Sequence, residues 1–140
     1  MGLKMKILIA EDDFITRRAI KKMMQRDGGC DEAVNGQEAV DSFYMAWEEG
    51  EPYDLVFMDI MMPIKDGHQA LQEIRNFEES NGVSGAKETK VIMLSALDDP
   101  KNVVQAFYLG GATTYLVKPV SSERIYEAIR NIKVTSRVTG

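Results

Sequence analysis

The sequence predicts a doubly wound α/β fold, a parallel β-sheet with helices packed on both of its faces. Three observations predict it. Short apolar runs recur along the 140 residues, separated by longer segments of helical period. The runs are Ile7-Leu8-Ile9-Ala10, Leu55-Val56-Phe57-Met58, Val91-Ile92-Met93-Leu94 and Tyr115-Leu116-Val117, and none alternates polar with apolar, as expected of strands buried on both faces. Finally, 44% of the residues are hydrophobic, which suits one compact domain that buries roughly two-thirds of its unfolded-chain surface. The chain therefore reads as a single domain over 1–140, with a core of about 5–133 and a short C-terminal tail.

The elements follow in order. The first strand runs into the acidic triplet Glu11, Asp12, Asp13. A helix over about Phe14 to Arg26 sets Ile15, Ala19 and Met23 at i, i+4, i+8 and is stopped by Gly28-Gly29. A weaker strand lies around Cys30 to Val34. Asn35, followed three residues later by Glu38, resembles a capping box at the start of the second helix. The third helix follows the Leu55 strand, from about His68 to Glu79, and Ser80 to Lys90 reads as a polar, glycine-containing loop. After the Val91 strand, a fourth helix starts near Pro100, carries Val103, Val104 and Phe107, and ends at Gly110-Gly111. The last helix begins after Ser121, a good N-cap, and places Ile125, Ala128, Ile129 and Ile132 on one stripe. The sequence contains no internal repeat or low-complexity tract, and the tail is too short for an effector domain.

Charge and composition exclude several function classes. Lys and Arg number 17 against 22 Asp and Glu, so the net charge of -5 gives no footprint for phosphate backbones or anionic membranes, and nucleic acid is not expected as a partner. One cysteine, Cys30, rules out an internal disulfide. No apolar run approaches the ~20 residues needed to span a bilayer, and the N-terminus lacks a signal-peptide pattern. These features predict a cytoplasmic protein without membrane insertion.

Four apolar runs are each followed by a chemically distinctive residue, and in an open α/β sheet such positions converge on the carboxyl edge where ligands bind. Glu11 and Asp12 follow the first strand, Asp59 the third, Ser95 the fourth and Lys118 the fifth. A lone acid at a strand end is more often a solvated loop residue. Four ends carrying complementary groups point instead to phosphoryl transfer. Three crowded carboxylates repel one another by about 4 kcal/mol per pair at ~4 Å and an effective dielectric of ~20, so a cation is required. The available ligands are hard oxygens, which selects Mg²⁺ or Mn²⁺ over Zn²⁺. A carboxylate in that setting can attack phosphorus to form an acyl phosphate, with Lys118 on one phosphoryl oxygen and Ser95 donating to another.

These residues resemble the response-regulator receiver domain of two-component signalling, the CheY-like chemotaxis-type fold, over nearly the whole chain. The pieces are Glu11-Asp12, Asp59-Ile60-Met61-Met62-Pro63 followed by Asp66-Gly67, Ser95-Ala96, and Tyr115-Leu116-Val117-Lys118-Pro119. The resemblance implies a flavodoxin-like (βα)5 sheet of order 2-1-3-4-5. It implies that Asp59 is the phosphoacceptor, Asp12 a direct metal ligand, Glu11 an acid reaching the metal through water, and Met61 the residue whose backbone carbonyl coordinates it. Ser95 then matches the switch hydroxyl, Lys118 the phosphate-binding lysine, Tyr115 the rotamer-switching aromatic and Pro119 a cis-proline. Asp13, outside the pattern, is assigned to capping the first helix.

The implied partners are a sensor histidine kinase or a histidine phosphotransfer protein as donor. A downstream protein would be bound through the fourth helix, fifth strand and last helix, and the segment Leu97 to Val103 would rearrange most. A phosphorylation-dependent dimer is left open. The protein would be no enzyme beyond phosphotransfer to its own Asp59 and slow autodephosphorylation.

Several residues take plainer readings. His68 is expected to face solvent, Cys30 to be a small core residue, and most of the nine methionines to fill the core. Trp47 and Phe43 fit either core or an exposed contact. Two departures from the common family pattern stand out. The stretch from Gly36 to Asp59 is about five residues longer than usual, and Met61 and Leu97, two beyond Asp59 and Ser95, are both apolar. No side chain there can orient an attacking water, which predicts a long-lived acyl phosphate.

Rival readings are weaker. An aspartyl-nucleophile Mg²⁺ phosphatase of haloacid dehalogenase type wants a second Asp where Met61 stands, and a flavin module wants a Ser/Thr/Gly-rich loop where Glu11 to Asp13 would repel phosphate. A P-loop pattern is absent. A receiver excised from a larger hybrid kinase or effector protein would read the same way.

Overall fold

The computed structural model describes residues 4–96 and 111–132. The expected fourth helix near Pro100, the Leu97 to Val103 segment and the C-terminal tail lie outside the described residues.

Five strands, β1 (Met5–Ala10), β2 (Gly28–Ala33), β3 (Leu55–Asp59), β4 (Lys90–Ser95) and β5 (Thr114–Val117), form one sheet in the order β2-β1-β3-β4-β5. Every pairing is parallel, as the expected doubly wound topology requires. The described helices are α1 (Phe14–Met24), α2 (Gly36–Glu48), α3 (Gly67–Ser80) and α4 (Ser122–Ile132), with a 3-10 turn at Gly85–Lys87 inside the expected polar loop.

The continuous apolar runs divide between two cores because neighbouring strand residues point to opposite faces. Leu8, Ala10, Val56, Met58, Val91 and Met93 pack with Phe43 of α2 and Leu71 and Ile74 of α3. Ile7, Ile9, Leu55, Phe57, Ile92 and Leu94 pack with Ile20 and Met24 of α1 and with Ile125 and Ala128 of α4. Each large aliphatic or aromatic side chain so enclosed contributes roughly 1.5–3 kcal/mol of burial free energy, which is why the central runs of β1, β3 and β4 are apolar on both faces.

Caps set the helix starts. Asp13 accepts from the Thr16 N–H, Asn35 from the Glu38 N–H, and Asp66 forms a full capping box with Gln69. The Glu38 carboxylate reaches past the cap to the Val34 N–H at 3.1 Å. At the other end of the sheet, the buried Glu78 is satisfied by Arg75 at 2.6 Å and by the Thr89 N–H at 2.8 Å.

Several details correct the sequence reading. Gly28-Gly29 opens β2 rather than merely ending the helix, which stops at Met24. The reason is register: Gly28 pairs with Met5, and a Cβ on Gly28 would stand 1.8 Å from the Met5 carbonyl oxygen. The stripe Ile15, Ala19, Met23 is not the buried face of α1; Ile15 is 76% exposed, and Ile20 and Met24 face the sheet instead. His68 is half-buried, not solvent-facing, because it sits in the first turn of α3 against the body of the domain.

Other plain readings hold. Met5, Met24, Met58, Met62 and Met93 are buried. Cys30 is half-buried, and burial pushes its thiol up to about 11, which makes it inert at neutral pH. Phe43 is core, whereas Trp47 is half-buried and packs edge-on against Phe77 at 5.5 Å between centroids.

Candidate functional site

Because all strands run the same way, the residues that follow them meet at one edge. Backbone bonds beyond the ladders hold the edge together: Glu11 N–H donates to Ala33 O at 3.0 Å, Ile60 N–H to Leu94 O at 3.1 Å, and Lys118 N–H to Ser95 O at 2.8 Å. The peptide bond from Lys118 to Pro119 is cis, as expected.

Glu11, Asp12 and Asp59 each offer a carboxylate oxygen, all within 4.8 Å of one another. Glu11 and Asp59 are buried and Asp12 is exposed, so the cluster is open to solvent on one side. The Lys118 ammonium lies 2.5 Å from Glu11 Oε1 and 3.0 Å from Asp59 Oδ2. Ser95 Oγ is buried and has no hydrogen-bond partner among the described residues. An orphaned buried hydroxyl costs about 1–3 kcal/mol and calls for a ligand or a functional reason.

The electrostatics follow from burial and crowding. Burial first, then Asp59, pushes the Glu11 carboxyl above the usual carboxylate range against the pull of Lys118. Burial and the neighbouring Glu11 raise Asp12 in the same direction. For Lys118 burial works to lower the ammonium, but its bonds to Glu11 and Asp59 outweigh that and hold it above the ordinary lysine value. Among the described residues one ammonium faces three carboxylates, which leaves an excess of negative charge built from hard oxygens. That donor set fits a small divalent cation such as Mg²⁺, with Asp12 on the open side.

The family pattern described as the response regulator receiver domain matches residues 7–130. The chain belongs to this family. Among relatives, the chemotaxis protein CheY of Bacillus subtilis is 36% identical over 126 residues, covering 89% of this chain and 93% of its own. The receiver domain of Ssk1 from Saccharomyces cerevisiae, solved with the histidine phosphotransfer protein Ypd1, superposes with a TM-score of 0.78 at 30% identity, covering 92% of this chain and 88% of that one. The receiver domain of sensor histidine kinase PA1611 from Pseudomonas aeruginosa, solved with a magnesium ion in its active site cleft, gives 0.71 at 26% identity, covering 93% and 98%. As a receiver domain of a two-component response regulator, the chain is a signalling module.

Within this receiver domain the sequence-derived residues Glu11, Asp12, Asp59, Ser95 and Lys118 come to one edge. Met61 follows Asp59 closely enough for its N–H to reach Asp59 Oδ1 at 3.4 Å, and its side chain is 67% exposed. Tyr115 is half-buried on β5 and packs against the core on the α2–α3 face. Asp13 caps α1, as expected, and its N–H donates to Glu11 Oε2 at 3.1 Å. Leu97 lies outside the described residues.

Three features were not read from the sequence. Arg17 reaches the carbonyls of the acidic turn. Ile64, in the loop after Asp59, holds φ at 71°, a left-handed conformation rare for a β-branched residue. Gly67 brings the start of α3 against β3, and the Asp66-Gly67 pair was the available signal. A Cβ on Gly67 would stand 2.2 Å from the Asp59 carbonyl oxygen, a backbone atom that cannot yield without moving the carboxylate beside it. Gly67→Ala is therefore expected to destabilise the fold by about 1–3 kcal/mol, read as a lower urea midpoint at unchanged slope. A midpoint equal to wild type would contradict this close approach.

Proposed function

We propose that this receiver domain takes a phosphoryl group from a partner's phosphohistidine onto Asp59, with Mg²⁺ held by Glu11, Asp12, Asp59 and the Met61 carbonyl, and that the modification changes which protein it binds. The observation that carries the reading is the Lys118 ammonium lying between Glu11 and Asp59 beside an open third carboxylate. When bound, Mg²⁺ supplies charge neutralisation at the carboxylates and the incoming phosphoryl group. Mn²⁺ satisfies the same donor set.

The chain's own residues then divide the work. An oxygen of the Asp59 carboxylate forms the new O–P bond as the donor's N–P bond breaks and the histidine nitrogen leaves with the bonding pair. Lys118 shifts from pairing with carboxylates to pairing with a phosphoryl oxygen, and the Ser95 hydroxyl, otherwise without a partner among the described residues, donates to another. Moving Ser95 toward the phosphoryl group opens room for Tyr115 to turn inward, biasing a two-state surface at β5 and α4. The Ssk1–Ypd1 complex of a related receiver supports a histidine phosphotransfer protein or sensor kinase as donor. We place this exchange in the cytoplasm and assign it to a single receiver domain; among the described residues no helix is long and apolar enough to cross a membrane.

Intact mass after incubation with Mg²⁺ and acetyl phosphate tests the reading: one added phosphoryl group supports it, and none sinks it. The same preparation tests the expected lifetime. Met61 presents an apolar chain beside Asp59 with no group to orient water, so hydrolysis should take minutes to hours in Mg²⁺ buffer (on the order of 10²-fold slower than with a positioned base). Decay within seconds, followed by mass, would contradict that.

A further inference from the structure

The acidic pair is only as well placed as the turn that carries it. Residues 11–13 lie between the end of β1 and the first turn of α1, and Asp12 is exposed. Two side chains reach this turn from α1: the Thr16 hydroxyl donates to Asp13 Oδ2 at 2.6 Å, and Arg17 takes the backbone of the acidic pair. The Arg17 guanidinium donates through Nη1 to the carbonyl oxygen of Glu11 at 2.9 Å, with the Asp12 carbonyl at 3.5 Å. Its Nε donates to Glu32 Oε1 at 2.9 Å, and the second oxygen of Glu32 is held by Lys21 at 3.0 Å. The Arg17 side chain is only 12% exposed, so this fork is fixed by its surroundings.

We infer that Arg17 is a positioning residue for the divalent cation: it clamps the backbone of Glu11 and Asp12 from behind, while Glu32 on β2 orients the guanidinium. The inference rests on the proposed cation site and deepens it. A planar fork with donors in fixed directions can bridge a carbonyl turn and a carboxylate at once, which a lysine cannot do. Groups one step removed from a metal typically change its affinity by 10- to 100-fold when lost, because they fix the ligands' orientation.

The sign of the effect separates this role from simple electrostatics. Arg17 brings a positive charge close to a cation site, so by charge alone its removal would tighten Mg²⁺ binding. As a clamp, its removal must weaken it.

The test is isothermal calorimetry of the full chain with MgCl₂, alongside thermal midpoints measured in chelator. Arg17→Met is expected to raise the Mg²⁺ dissociation constant by about 10-fold or more. Glu32→Gln, which leaves Arg17 present but less firmly oriented, should raise it by a smaller factor. Lys22→Met, which removes the same charge from an exposed position on the same helix, should leave it unchanged. Equal or tighter binding in Arg17→Met overturns the inference, as does a weakening in Glu32→Gln and Arg17→Met that only tracks a fall in their chelator midpoints. If Arg17→Met does not fold, Glu32→Gln decides: unchanged affinity at an unchanged midpoint overturns the inference. Asp12→Asn keeps the two questions apart, because wild-type Mg²⁺ binding in that variant defeats the cation site itself, whatever Arg17 does.

Discussion

With Mg²⁺ and acetyl phosphate, wild-type chain gains one phosphoryl group in intact mass, and Asp59→Asn gains none. The loss is expected to be complete because an amide is not a nucleophile toward phosphorus, while the near-identical shape of Asn leaves β3 and its buried end in place. Asp13→Asn serves as the contrast. Asp13 lies in the same acidic triplet, but its carboxylate is occupied at the α1 cap by the Thr16 N–H at 2.9 Å and hydroxyl at 2.6 Å, which also hold it below the usual carboxylate range. That variant should still accept the group and keep its fold, because asparagine serves the N-cap position about as well as aspartate. Phosphorylation of Asp59→Asn at the wild-type rate would refute the assignment outright.

The second large effect is on Lys118→Met. In the absence of cation, Lys118 is the ammonium that offsets Glu11 and Asp59, both buried. Breaking a fully buried pair costs about 3–5 kcal/mol, but the lysine side chain is 26% exposed, so a loss of about 2 kcal/mol is expected. The loss should shrink on adding Mg²⁺, because a cation bound by the same carboxylates supplies the missing charge and binds only the folded state. Urea unfolding in chelator and in Mg²⁺ reads both numbers. A deficit identical in the two conditions would mean that Lys118 acts through packing instead of charge. Phosphoryl uptake should also slow, by on the order of 10²-fold, because a donor aimed at the developing negative charge has been removed.

How much of this was legible in the sequence depends on how far apart the interacting groups lie along the chain. The strands were, because each is a local apolar run. So were the residues at their ends, since parallel strands place all carboxyl ends at one edge: Glu11, Asp12, Asp59, Ser95 and Lys118 meet as expected. The Asn35 and Asp13 caps were legible for the same reason, as their partners lie within three residues. The buried face of α1 was misread because Ile15, Ala19 and Met23 satisfy helical period as well as Ile20 and Met24 do. Only the direction in which the Glu11–Asp13 turn feeds the helix chooses between those two stripes.

By itself, then, the sequence determined the fold class, the strand order implied by its family pattern and the identity of the edge residues. The fold class and the edge residues follow from periodicity and from the chemistry that crowded oxygens demand, whereas the strand order came only with the family resemblance. The tertiary structure alone decided the rest: that Arg17 reaches back to the acidic turn, that Gly67 touches the Asp59 backbone, that Glu78 is buried against Arg75 and Thr89, and that Lys118 spans two carboxylates. Each of these is a distance of a few ångströms set by how separate segments are packed, and periodicity along a chain carries no measure of such distances.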